Sequence, residues 1–191
     1  MKKFVALLLA VLMVASLCAC GQKDTGSDLQ TVTKGKLIMS TNAEFAPYEY
    51  VADDGKGFQG TGYEGIDIEI AYALAQKLGL ELVVDNMDFD AALSAVQTGK
   101  SDMVAAGVTV TPDRLNAMSF TDSYANGVQV VIVKEGSDIK SIDDLEGKKI
   151  GTQRGTTGFI YCSDDYGDDN VIGFDDGATA VQNLKAGKVD C

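Results

Sequence analysis

The densest chemistry in the sequence lies in Thr109-Val110-Thr111-Pro112-Asp113-Arg114. Thr111 followed by Pro112 is a helix-start pattern: the hydroxyl caps, and proline takes the first helical position. An arginine beside free helix-start N–H groups suits a carboxylate, because the guanidinium fork supplies two parallel hydrogen bonds and the helix dipole adds to them. The same residues also fit a plain helix cap with a solvated arginine, and the stretch alone does not separate the two. Gly155-Thr156-Thr157-Gly158 is a second small-residue loop, whose backbone N–H groups could face the same anion. It lacks the Gly-x-x-x-x-Gly-Lys-Ser/Thr of a phosphate-binding loop. Phe45 and Phe89 stand at the ends of strand-like segments, where a ring either stacks on a ligand or fills a core.

Composition removes other chemistries. The 191 residues contain no histidine and no tryptophan, so Ser-His-Asp catalysis and His-ligated zinc are excluded. With 28 acidic against 16 basic side chains the net charge is −12, which repels phosphate backbones and argues against a nucleic-acid partner. No cofactor is indicated.

The elements that must position these residues alternate. Lys36–Ser40, Leu80–Val84 and Met103–Val110 read as strands, the last apolar enough to be buried on both faces. Ile66–Leu78 and Asp90–Thr98 read as helices stopped by Gly79 and Gly99; the first shows an apolar stripe through Ile66, Ile70 and Leu74. Strand, helix, strand, helix, strand predicts a parallel α/β sheet, with Thr109 and Arg114 at its ligand-binding carboxyl mouth. Asp67 and Glu69 read as a solvated face with helix-start charge. Beyond these, Val128–Val133 and Lys148–Gly151 read as strands, Ser141–Leu145 as a short helix, and Ala178–Lys185 as a helix after the Gly155 loop and its own helix. Gln97–Asp102 echoes Lys185–Asp190, and Gly35–Ile38 echoes Gly147–Ile150. Their shared order predicts two lobes on one plan, residues 35–125 and 126–191, joined by a hinge near Tyr124–Val128. The strand that follows Asp102 has no counterpart after Asp190, so the second lobe is expected to be incomplete in this chain, a compact variant being the alternative.

The first 19 residues read as an export signal: Lys2 and Lys3, then a 13-residue apolar run too short to span a bilayer. Leu17-Cys18-Ala19-Cys20-Gly21 resembles a bacterial lipobox, which implies cleavage before Cys20 and a lipid anchor on its sulfur. An ordinary signal peptide with incidental cysteines is the alternative. Residues 20–34 read as a flexible tether. Outside the cell Cys162 and Cys191 are candidates for a disulfide, or else two separate buried thiols.

Four ordered stretches carry a resemblance. Gly65-Ile66-Asp67-Ile68-Glu69-Ile70-Ala71-Tyr72-Ala73-Leu74-Ala75, Phe45-Ala46-Pro47-Tyr48, Ala106-Gly107-Val108-Thr109-Val110-Thr111 with Arg114, and Gly147-Lys148 through Gly158 are similar to the motifs of bacterial solute-binding protein family 3, the extracellular receptors of polar-amino-acid ABC transporters. The resemblance covers Lys36–Cys191. It implies a periplasmic-binding-protein-like α/β fold of two hinged lobes and a monomer anchored by lipid on the extracytoplasmic face, delivering a polar amino acid to a membrane permease. Carried over by position, Arg114 and Thr109 bind the α-carboxylate with backbone help around Thr157, and the Gly107 carbonyl accepts from the α-ammonium. Phe45 and Phe89 flank the side chain, Asn42 lines the pocket, and Gln153 reads the side chain. The family's ammonium-binding aspartate would fall past Cys191. Neutral Asn42 and Gln153 lean towards glutamine or cystine. The same fold also hosts cyclic-acid dehydratases and sensory input domains; the mouth motifs offer the former no clear proton carrier.

Overall fold

In the computed structural model, residues 29–191 are described. The expected export signal and the expected lipid anchor at Cys20 therefore lie outside the described residues. Lobe one is built on a parallel sheet: β1 (Lys36–Thr41) lies between β5 (Glu81–Asn86) and β6 (Met103–Val104). Lys36 pairs with Glu81 and Thr41 with Asn86, while Met39 pairs with Met103. A small antiparallel sheet of β2 (Glu44–Phe45), β3 (Glu49–Val51) and β4 (Tyr63–Glu64) occupies the stretch between β1 and α1, where the sequence reading places no element. Two- and three-residue strands are too short for alternation to reveal them.

Helices α1 (Ile66–Leu78) and α2 (Phe89–Gln97) cover the sheet. The predicted α1 stripe is the wrong face. Ile66, Ile70 and Leu74 are exposed, whereas Asp67, Ile68, Ala71 and Ala75 are buried. A helix apolar on most sides has no single stripe for spacing to find, and alanines let the helix approach the sheet closely. Ile68 and Ala71 close a core with Met39 and Ala105. The third predicted strand ends early, since β6 stops at Val104 and the chain then bends into the loop that carries Gly107 and Thr109.

Lobe two holds β7 (Ile150–Gln153) paired in parallel with β8 (Val171–Phe174), and helices α4 (Thr157–Tyr166) and α5 (Gly177–Lys185); the short α3 (Pro112–Ala117) precedes them. The predicted strand Val128–Val133 does not form. No described strand pairs with it, so its backbone has no ladder to join, and Val128 stays 82% exposed. Ser141–Leu145 becomes a single 3₁₀ turn at Ile142–Leu145, held by a Ser141–Asp144 capping box.

The expected disulfide is also absent: Cys162 and Cys191 are free. Cys191 is buried with Ile139, Leu145 and Ile150, and Cys162 packs against that cluster as a small hydrophobe. Burial pushes both thiols up, which keeps them protonated. The residues read as tether are tied down before residue 34: the Val32 N–H donates to Asp102 Oδ1 at 2.7 Å.

Candidate functional site

The carboxyl ends of the strands in both lobes open on one cleft of about 460 Å³. From lobe one come Asn42 just past β1, Phe45 on β2, Phe89 at the start of α2, and Gly107, Thr109 and Arg114 after β6. Lobe two adds Gln153 at the end of β7 and Thr157 at the start of α4. All eight residues singled out from the sequence line this cleft. It continues along lobe two past Ile150 and Leu184 to Cys162 and Cys191.

Arg114 is held from both sides. Thr111 Oγ1 accepts from the Arg114 backbone N–H at 3.3 Å, which fixes the start of α3. The side chain is buried rather than solvated. Its Nη1 donates to the Thr109 carbonyl at 2.7 Å, and its Nη2 donates to the Gly155 carbonyl of lobe two at 2.9 Å. The guanidinium carbon lies 5.7 Å from the centre of the Phe89 ring, which is embedded in the core with Leu93 and Ala106. Burial draws the guanidinium below its ordinary value, since a charge loses hydration there. Three donors of its fork have no partner among the described residues, enough for a carboxylate.

A second bridge between the lobes is Gln153 Nε2, which donates to Asn42 Oδ1 at 2.9 Å. Asn42 Nδ2 in turn donates to the Met87 carbonyl. Gly155 has a φ of +74°, and a Cβ there would stand 3.0 Å from Asp90 Cβ. Glycine is therefore required both by conformation and by how closely the two lobes meet. Thr156 Oγ1 accepts from Phe159 N–H and caps α4, so the first N–H groups of that helix face the cleft beside Thr157.

Phe45 is half exposed at the cleft and stacks on Tyr48, ring centres 5.3 Å apart. Its ring also lies against Gly107, where a Cβ would meet it at 3.0 Å. The Gly107 N–H donates to Asp67 Oδ2 at 2.9 Å. Asp67 is thus a correction to the sequence reading: it is 1% exposed and holds the loop of the site, whereas Glu69 is solvated as expected.

The residue that sequence reasoning missed is Glu49 on β3. It is 1% exposed and lines the cleft, and its carboxyl adjoins that of Asp67. Glu49 Oε2 and Asp67 Oδ1 have no hydrogen-bond partner among the described residues. Burial first, then the neighbouring carboxylate, push Glu49 up to about 10, so it carries its proton at neutral pH. The half-exposed Tyr124 faces the same pair, and burial followed by Asp67 raises its hydroxyl. The signal available in the sequence was a lone carboxylate between Tyr48 and Tyr50 in an apolar segment.

Residues 37–186 match the family of bacterial extracellular solute-binding proteins, family 3. The arginine-binding extracellular protein ArtP of Bacillus subtilis (strain 168) is 38% identical over 156 residues, covering 82% of this chain and 57% of its own length. A probable histidine-binding protein of Neisseria gonorrhoeae is 34% identical over 194 residues, covering 100% of this chain and 70% of its own. Among solved structures, an ancestral arginine-binding protein bound to glutamine superposes with a TM-score of 0.73 at 39% identity, covering 83% of this chain and 68% of that one. The chain thus spans less than two thirds of the length of the Bacillus relative.

Proposed function

This chain belongs to the bacterial extracellular solute-binding proteins, family 3, and from that premise we propose that it captures a polar amino acid with a cationic side chain for delivery to a membrane permease. One observation carries the reading: a buried guanidinium and a buried carboxyl oxygen, unpartnered among the described residues, line the same cleft together with Phe45 and Phe89. That pattern complements a ligand bearing a carboxylate at one end and a cation at the other. Arg114, the Thr109 hydroxyl and the start of α4 at Thr157 take the α-carboxylate. The Gly107 carbonyl accepts from the α-ammonium, Phe45 and Phe89 enclose the methylenes, and Glu49 meets the side-chain cation. Asn42 and Gln153 tie the lobes together around it.

Glu49 changes the expected ligand. Asn42 and Gln153 alone lean towards a neutral side chain, but the acid on β3 supplies the charge they lack. The arginine-binding relative of Bacillus subtilis and the probable histidine-binding relative of Neisseria gonorrhoeae agree with this reading. Glu49 also removes one argument against catalysis, since the cleft does contain a protonated carboxyl. The non-enzymatic reading rests instead on the binding proteins among its relatives. Localisation on the extracytoplasmic face, with the lipid anchor at Cys20, belongs to the same proposal and rests on the lipobox-like sequence.

Calorimetry on the full chain tests the assignment. Arg114→Ala is expected to weaken arginine binding at least about 100-fold, the scale of a lost bidentate charged hydrogen bond. Binding of arginine by that variant with unchanged affinity sinks the proposal.

A further inference from the structure

Glu49 lines the cleft, and its carboxyl adjoins that of Asp67 on α1. Each side chain is 1% exposed, and among the described residues each has an oxygen without a hydrogen-bond partner and neither forms an ion pair. Their polar surroundings are the Gly107 N–H from the loop after β6 and the Tyr124 hydroxyl from the segment between the lobes, with Tyr48 further along β3's own approach. A neutral N–H and phenol hydroxyls cannot balance two negative charges in a site closed to water. Glu49 therefore carries a proton here, since burial and then the neighbouring carboxyl disfavour its ionised form.

We propose that the Glu49 proton occupies the place of the ligand's side-chain cation, so that a cationic amino acid binds by exchange: the cation enters and one proton leaves. The Glu49 O–H bond breaks, its proton passes to solvent, and the carboxylate formed pairs with the incoming guanidinium; charge in the cleft is conserved. A neutral amino acid has nothing to exchange and leaves the proton in place. Selectivity between the two classes then depends on pH, and this inference rests on the amino-acid reading above.

The sign is fixed by the direction of the shift. In the empty protein burial and Asp67 keep Glu49 protonated up to about pH 10. A bound cation favours its ionised form, so the complex holds fewer protons than the free protein across neutral pH. Affinity for arginine is then expected to rise about ten-fold per pH unit between roughly pH 6 and 8, while affinity for glutamine stays level. Arginine is the suitable probe because its guanidinium stays charged throughout that range.

The experiment is titration calorimetry of the full chain with arginine and with glutamine, in buffers of different ionisation enthalpy. About one proton released per arginine, and none per glutamine, is the expected result. Glu49→Gln is expected to abolish the release and flatten the pH dependence. If that variant fails to fold, the buffer series on the native chain still decides. Arginine binding with a buffer-independent enthalpy overturns the exchange alone. Absence of binding by both amino acids overturns the amino-acid reading and the exchange with it. Undiminished release from a folded Glu49→Gln variant overturns the assignment to this pair.

Discussion

The two lobes fasten their first strand in the same way but cover it differently. In lobe one, Asp102 follows a helix and a Gly-Lys turn; its Oδ2 accepts from the Ile38 N–H at 2.8 Å, and its own N–H donates to the Ile38 carbonyl. In lobe two, Asp190 follows the matching turn, accepts from Lys149 N–H at 2.8 Å and donates to the Lys149 carbonyl. The echo between Gln97–Asp102 and Lys185–Asp190 is thus a shared latch between the turn and the strand. Around the latch the lobes diverge. β1 is flanked by strands on both edges and is largely buried, whereas β7 has one paired strand plus a backbone bond from the Gly151 N–H to the Cys191 carbonyl. Lobe one therefore offers a rigid shelf, where Arg114, Phe89 and the buried acids are fixed. Lobe two contributes Gln153, the start of α4 at Thr157 and an apolar wall through Ile150 and Leu184.

Core truncation tests this contrast most severely. Ile68→Ala, at a fully buried site of lobe one, is expected to cost about 3 kcal/mol in urea unfolding followed by circular dichroism, and Ile172→Ala on β8 about 1 kcal/mol or less. Equal costs would break the distinction between the lobes. The latches come next. Asp102 also accepts from Val32 N–H, so Asp102→Ala loses two charge-assisted bonds and is expected to cost roughly 2–3 kcal/mol, against about 1 kcal/mol for Asp190→Ala. A reversed order would show that the latch of lobe two matters more than its geometry implies. Smallest are the helix caps: Thr111→Ala and Thr156→Ala each remove one hydroxyl acceptor and are expected to cost about 1 kcal/mol, nearly equal in the two lobes.

How far the sequence could be read follows from the range of its signals. Local patterns were reliable: the span of α1, the cap at Thr111 and Pro112, and the turns at Gly79 and Gly99 each depend on neighbours within a few residues. Thr109, Arg114, Phe45, Phe89 and the loop at Thr157 were legible from their places at strand ends and helix starts, which converge in open α/β sheets, whereas Asn42, Gly107 and Gln153 were legible only through the family resemblance. Features depending on distant partners were not. The inward face of α1 could not be picked from a helix apolar almost all round, and Asp67 passed for a surface acid because burial leaves no mark in the sequence. Val128–Val133 has the composition of a strand, yet a strand exists only where another backbone completes its hydrogen bonds.

By itself, then, the sequence determined the alternation of strand and helix on the main sheet of lobe one, the caps and breaks that bound it, and the position of Arg114 at a mouth, since bond geometry and side-chain periodicity act over a few residues. Tertiary structure alone decided that Glu49 from β3 and Asp67 from α1 meet out of water. Hydration, and with it the cost of a charge, depends on what surrounds a group in space and not on its neighbours along the chain.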